Sequence, residues 1–233
     1  MNKRIAVIIP AFNEEKSIAG VVRSVRSLSG FVYDPIVIND NSTDQTSQEA
    51  ALAGAVVINL PCQLGIGGAV QTGFKYALEK QYDVCVQTDG DGQHLASEIP
   101  KLIKPILSEG FDLVVGSRFI SDTDYEASFM RGLGITIISL FLRVTTGIRV
   151  KDTTSGFRAA SRRAFAFFSS EYPQDYPEPE SLIYAHQKKF RVTEVPARML
   201  DRKYGQSSIT PLLAMYYMVK VLLAMFVDLF RKI

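Results

Sequence analysis

Only two cysteines, Cys62 and Cys85, occur in the chain, and they form neither a paired framework nor a metal-ligand spacing. A disulfide-stapled fold is excluded, and a reducing, cytosolic compartment fits. Cys85 sits in the run Val84-Cys85-Val86 and reads as a small buried hydrophobe. Net charge is nearly absent: a formal +2 gives no field that would favour a nucleic-acid partner. Internal repeats and low-complexity tracts are missing. The opening Met1-Asn2-Lys3-Arg4 runs straight into a strand pattern, with no signal-peptide apolar segment between.

What is present is apolar residue enough for a sizeable core, 47% of 233 residues. Strand patterns rich in Val and Ile at 5–9, 35–39, 55–60, 83–88 and 111–116 alternate with helical patterns at 14–28, 43–53, 67–80 and 98–108. Ile18, Val21, Val22, Val25 and Leu28 share one face of the first helix, and Asn13 is its expected N-cap. The alternation predicts right-handed βαβ units and a mostly parallel sheet flanked by helices. After Arg118 the rhythm fades. We read a loop at 121–129, an apolar helix at 132–142, a polar turn at 152–158 and a short strand near 157–161. Three prolines in 171–179 exclude regular helix there. A helix at 181–189, a strand at 191–195 and a last helix at 209–233 complete the chain.

Ligands of such sheets bind beyond the carboxyl ends of the strands. Residues 10–14, 39–44, 89–91 and 116–118 all fall at such ends. The most informative is Asp89-Gly90-Asp91-Gly92-Gln93-His94, directly after a strand. Two carboxylates on a glycine-permitted turn suit a hard divalent cation, Mg²⁺ or Mn²⁺, that also meets a diphosphate. Taken alone, Asp-x-Asp is equally a polar turn; the other strand-end motifs separate the two readings. Gly65-Ile66-Gly67-Gly68-Ala69-Val70 imitates a dinucleotide fingerprint, but Val70 replaces its last glycine and it follows the third strand, not the first. Such a glycine-rich helix start either presents N–H groups to a phosphate, which makes Gly68 a nucleotide-side candidate, or simply allows close packing.

Six motifs in register now resemble one family. They are Pro10-Ala11-Phe12-Asn13-Glu14, Asn39-Asp40-Asn41-Ser42-Thr43-Asp44, the Asp89–Asp91 turn, Gly116-Ser117-Arg118-Phe119, Asp152-Thr153-Thr154-Ser155-Gly156-Phe157-Arg158 and Arg202-Lys203-Tyr204-Gly205-Gln206-Ser207. The set resembles inverting family 2 glycosyltransferases of the GT-A fold, close to dolichyl-phosphate mannose synthases and bacterial undecaprenyl-phosphate sugar synthases. The resemblance covers about residues 4–208 and implies a glycosyltransferase domain over 1–208. Within it, a nucleotide-binding half would span 1–118 and an acceptor half 119–208, with a docking helix at 209–233. It implies that Pro10, Phe12 and Glu14 hold the base and ribose of a UDP- or GDP-linked sugar, with Asp40 reaching the base. Asp89, Asp91 and Gln93 would surround the metal, which neutralises the leaving diphosphate. Arg118, Arg131 and Arg202 would receive phosphates, at least one of them on a polyprenyl phosphate acceptor, because a planar guanidinium matches phosphate oxygens. Ser155 and Arg158 would line that pocket.

Asn39 and Asn41 depart from the family's Asp-Asp-Gly-Ser. Asn tolerates a left-handed turn at 41, while Asn39 removes a carboxylate and bears on base and sugar preference. A hydroxyl acceptor would need a general base, for which Tyr176-Pro177-Glu178-Pro179-Glu180 offers Glu178 or Glu180; a lipid phosphate is already an anion and needs none. The same segment is equally a rigid proline loop with solvated carboxylates. In the last helix Tyr216, Tyr217, Lys220, Asp228 and Arg231 share one side, opposite a wide apolar face. We expect it to lie on the membrane's cytoplasmic surface or on a small integral membrane protein, with closure of the core as the alternative. The apolar stretch 132–142 is too short to span and is a second interfacial candidate. A polysaccharide-synthesising enzyme with a hydroxyl acceptor and a non-enzymatic sugar-nucleotide sensor are the competing functions; the intact Asp89 and Asp91 count against the sensor.

Overall fold

The computed structural model describes residues 3–120, 129–200 and 211–231, with backbone only at 129–131 and 211–215. Its strands are β1 (Arg4–Ala11), β2 (Val32–Asn39), β3 (Val56–Asn59), β4 (Val84–Gln87), β5 (Leu113–Ser117), β6 (Arg158–Ser161) and β7 (Val192–Pro196). Its helices are α1 (Ile18–Arg26), α2 (Thr46–Leu52), α3 (Gly65–Glu79), α4 (Ile99–Glu109), α5 (Phe129–Thr146), α6 (Arg162–Ser170), α7 (Pro177–Gln187) and α8 (Pro211–Asp228). The strands make one sheet in the order β3-β2-β1-β4-β6-β5-β7. Neighbours are parallel except at β6, which runs antiparallel to β4 and β5.

That one reversed strand positions the site. Because β6 points the other way, the residues leading into it arrive at the carboxyl ends of β4 and β5. The turn 152–157, remote in sequence, is thereby brought beside Asp89 and Arg118. The chain after β7 returns to the same edge, where Met199 bridges His94.

Alternation along β1 feeds two cores. Ile5, Val7 and Ile9 pack with Val22 of α1 and Leu102 of α4; Ala6 and Ile8 pack with Val70 of α3 and Phe168 of α6. Cys85 is buried in the second of these, as expected, and burial raises its thiol pKa.

Three expectations need correction. Asn13 does not cap α1, which starts at Ile18 after Ser17. It sits at φ 56 and its Oδ1 accepts the Thr43 N–H at 2.9 Å, stitching the first two strand-end loops together. The prolines of 171–179 do not keep the whole segment from being helical: α7 begins at Pro177. The first turn of a helix has N–H groups without intrahelical partners, so proline costs nothing there. The helix α6 was not foreseen; Ser161 caps it, accepting from the Ala164 N–H at 3.2 Å.

The last helix divides its faces differently from the sequence pattern. Val221 and Met225 are fully buried against the core, and Asp228, expected on the solvated stripe, is only 6% exposed. Val219, Leu223, Phe226 and Val227 remain exposed. Among the described residues no helix is long and apolar enough to cross a membrane.

Close contact between α3 and β1 relies on Gly73, where a Cβ would fall 2.4 Å from Ile8 Cγ2. Alanine is the better helix former by up to ~1 kcal/mol, but overpacking against a stiff β-branched neighbour costs about 1–3 kcal/mol. Gly73→Ala should therefore destabilise the protein in urea unfolding; an unchanged or raised midpoint would show that the helix and strand can separate freely.

Candidate active site

The turn after β4 is built to hold two carboxylates. Gly92 adopts φ 79, which only a residue without Cβ does at no cost. A Cβ on Gly90 would sit 3.3 Å from the Pro10 carbonyl oxygen, so the turn lies directly on the end of β1. The Asp89 N–H donates to His94 Nδ1 at 3.1 Å. His94 is buried and stacked on Phe157 at 4.7 Å. With Nδ1 accepting, neutral His94 carries its proton on Nε2, which faces Asp89 Oδ2 at 3.7 Å. Asp91 Oδ1 accepts the Gln93 N–H at 3.0 Å. The Asp89 side chain stays 39% exposed, so its backbone is fixed while its carboxylate is presented.

Gln93 donates Nε2 to the Leu200 carbonyl at 3.2 Å and accepts the Leu200 N–H on its own carbonyl at 2.8 Å. Its Oε1 is a hard oxygen donor on the same turn as the two carboxylates. Among the described residues no three His, Cys, Asp or Glu side chains form a metal cage. Two carboxylates and an amide oxygen suit a hard divalent ion that keeps coordination positions for substrate oxygens.

On the nucleotide side, Pro10 is buried, Phe12 is 43% exposed, and Glu14 is half-buried beside Gly90 with Oε2 accepting from Ser17 Oγ at 2.7 Å. Asp40 is placed differently from expectation. It is 5% exposed, and its oxygens accept the Leu64 and Gly65 N–H groups at 2.7 and 2.9 Å. It caps the start of α3, so the negative charge answers the helix's positive end. At Gly68 the packing reading is the one with contacts: a Cβ there would meet the Leu64 Cβ at 2.5 Å, and one on Gly67 the Pro173 carbonyl at 2.5 Å. Asn41 takes the left-handed turn at φ 60. Asn39 donates Nδ2 to Asn59 Oδ1 at 2.8 Å, a neutral pairing in the family's carboxylate position.

On the acceptor side, Arg118 is 7% exposed and grips Asp152: Nε to Oδ2 and Nη2 to Oδ1, both at 2.7 Å. The fork expected to receive phosphate is thus engaged with a buried carboxylate. Ser155 and Arg158 do not line an open pocket. Ser155 Oγ donates to the Gly116 carbonyl at 2.6 Å, and Arg158 donates to the carbonyls of Thr153, Ser155 and Glu178 at 2.6–2.8 Å. Both lie below the surface because the reversed β6 leaves a turn whose carbonyls need buried donors. Arg202 lies outside the described residues, and of Arg131 only its backbone place in α5 is described.

The two carboxylates of the proline segment point to different places. Burial raises Glu178, Arg158 opposes this, and Asp89 adds to it, which puts Glu178 on the active-site side. Glu180 is buried between α7 and α8 against Asp228. Oxygens of both groups, Oε1 and Oδ2, are buried without a donor. One shared proton answers that, and burial together with Asp228 pushes Glu180 up to about 8. Sequence pattern missed Asp152 and His94 as positioning residues; both stood inside quoted motifs, but only the fold shows which partner each holds.

Comparison with known proteins agrees with this architecture. Residues 6–169 match the family model Glycosyl transferase family 2. The chain is 31% identical to a UDP-N-acetylglucosamine–dolichyl-phosphate N-acetylglucosaminyltransferase of Methanococcus voltae, over 88% of this chain and 89% of that one. It is 28% identical to an undecaprenyl-phosphate mannosyltransferase of Micrococcus luteus, over 89% and 88%. Among solved structures, glucosyl-3-phosphoglycerate synthase from Mycobacterium tuberculosis, in complex with Mn²⁺, UDP and phosphoglyceric acid, matches with TM-score 0.74. The identity is 24%, covering 99% of this chain and 80% of that one. The fold is that of this solved glycosyltransferase structure. The chain belongs to glycosyl transferase family 2.

Removing one partner of the Arg118–Asp152 pair leaves a buried unpaired charge, at a cost of about 3–5 kcal/mol. Asp152→Ala should lose that much in chemical denaturation; a loss below about 1 kcal/mol would mean that water already reaches the guanidinium.

The raised Glu180 gives a pH dependence of known sign. Its folded pKa lies above the unfolded value, so its contribution is complete at acid pH and is lost as pH rises through about 8. Wild type should melt progressively lower from about pH 5 to about pH 8 and level off above that, and Glu180→Gln should flatten that slope. Parallel curves for the two proteins would remove the shared proton.

Proposed function

We propose that this protein transfers a sugar from a nucleoside diphosphate to a polyprenyl phosphate at the cytoplasmic surface of a membrane, with inversion and with Mg²⁺ or Mn²⁺. The observation that carries the reading is the Asp89–Asp91 turn, fixed by His94 and Gly90 at the sheet edge where the acceptor-side turn also arrives. The relatives named for dolichyl- and undecaprenyl-phosphate transfer supply the acceptor class, and the Mn²⁺- and UDP-bound structural neighbour supports the metal and a UDP donor.

Asp89, Asp91 and Gln93 would hold the metal, which supplies positive charge to the departing diphosphate. Pro10, Phe12 and Glu14 line the donor side. Asp40 acts there by holding the start of α3. Arg118 is a positioning residue: through Asp152 it holds the turn beside Asp89. Phosphate recognition then falls to Arg131 and Arg202. The acceptor attacks as a phosphate anion, so no general base is required. A hydroxyl acceptor remains the second reading because Glu178, raised by burial, lies near Asp89.

The test incubates protein and membranes with labelled nucleotide sugars and Mg²⁺ or Mn²⁺, followed by lipid extraction. Label in an acid-labile lipid fraction supports the reading; label only in water-soluble glycan favours the hydroxyl acceptor. Asp91→Ala should lower turnover on the order of 10²–10³-fold while the protein stays folded, as loss of one transition-state electrostatic group does. Full activity after exhaustive metal removal with EDTA would end the metal assignment.

A further inference from the structure

A groove of about 790 Å³ opens beside α5, between the turn that follows it and the edge strand β7. It begins one residue from the Arg118–Asp152 pair, at Phe119 and Lys151, yet none of the donor-side residues reaches it. Its apolar wall is Ile120, Ile135, Leu140 and Val150. The hydroxyls that α5 brings to it are engaged internally: Thr136 donates to the Gly132 carbonyl at 2.8 Å and Ser139 to the Lys151 carbonyl at 2.9 Å. Its one carboxylate, Glu194, accepts the N–H groups of Lys151 and Asp152 at 2.9 and 2.7 Å. That leaves Arg143, Arg149 and Lys151, all exposed, as the charged groups that face an incoming ligand. The lining fits a molecule with an apolar body and an anionic head.

A second observation says from which phase such a molecule comes. Leu133, Ile137, Leu140 and Val144 form one exposed stripe along α5, and Leu140 belongs to both stripe and groove. Helix α8 packs on α5 and exposes Val219, Leu223 and Phe226. Exposed apolar residues on two packed helices, with cations beside one of them, are the pattern of a surface that lies on an anionic bilayer.

We propose that this groove binds an anionic bilayer lipid, with its head at Arg143, Arg149 and Lys151 and the start of its chains against Ile120, Ile135 and Leu140. The bound lipid seats the α5 face on the membrane and turns the neighbouring acceptor-side turn toward it. Its cations, Arg143, Arg149 and Lys151, are not those assigned to the acceptor phosphate, and it does not require that the transfer reading be right.

The test is flotation of the full chain with vesicles of phosphatidylcholine alone, or with added phosphatidylglycerol, without nucleotide sugar or polyprenyl phosphate. Wild type should float with the phosphatidylglycerol vesicles, less so as salt rises, and not with phosphatidylcholine alone. Each basic residue near an anionic surface contributes roughly fivefold, so Arg143→Ala/Lys151→Ala should lower partitioning on the order of tenfold or more. Lys104→Ala, an exposed cation on α4, should not change it. Circular dichroism checks that the variants are folded. Equal flotation with neutral vesicles, no flotation, or full binding by the folded double variant would overturn the proposal. Flotation only when polyprenyl phosphate is added to phosphatidylcholine would overturn it too, by making the groove an acceptor site. Transfer to a short, water-soluble prenyl phosphate without vesicles separately tests the catalytic reading.

Discussion

The acceptor side of the molecule depends on one buried ion pair. Arg118 ends β5, and Asp152 opens the turn that leads into the reversed strand β6; the two meet with both arms at 2.7 Å and almost no solvent. A pair this deep gains little net stability over an apolar contact. Its value is geometric, since a bidentate fork allows one relative placement of two loops that share no strand hydrogen bond at that point. Glu194 then holds the Asp152 N–H, and Arg158 fills the turn's carbonyls from below. Glu194 and Arg158 thus spend their charge on holding backbone, and the turn arrives beside Asp89 already shaped.

The donor side reaches the same rigidity by other means. There the loops after β1 and β2 exchange hydrogen bonds: Asn13 takes the Thr43 N–H, and Glu14 and Glu15 give theirs to Thr46 and Asp44. Asp40 ties both loops to the start of α3. Hydrogen bonds from backbone N–H groups to side-chain oxygens do here what a salt bridge does across the sheet. The difference follows from topology. Parallel strands β1 and β2 deliver adjacent loops, whereas β5 and β6 deliver theirs from opposite directions.

Sequence pattern revealed what repeats along the chain. The five leading strands, the helices between them and the strand-end position of the four motifs in the first half follow from alternation and from glycine placement. The glycosyltransferase resemblance rested on the same residues. It could not reveal the partner of a charged side chain. Asp40, Arg158 and Glu180 each looked like a group presented to ligand, because a charged residue beside a strand end is usually solvated. Each is buried against a partner 20 to 48 positions away, at Leu64, Glu178 and Asp228, and no local period encodes those distances. The reversed β6, four residues long, is likewise too short for its direction to be legible.

Helix α8 shows how one element answers two demands that its composition cannot separate. Its apolar surface is wider than the core needs. Val221 and Met225 are spent inside, and the remainder is exposed beside the equally apolar stripe of α5. Helices that only close a core do not carry a second apolar face, since each exposed Leu or Phe would be better replaced by a charge for solubility. The buried Glu180–Asp228 pair sits at the inner face of this helix and Arg231 at its end. Polar groups therefore fix how α8 lies on α7, while apolar groups face outward. That inversion of the usual order is what the proposed contact with a bilayer would need.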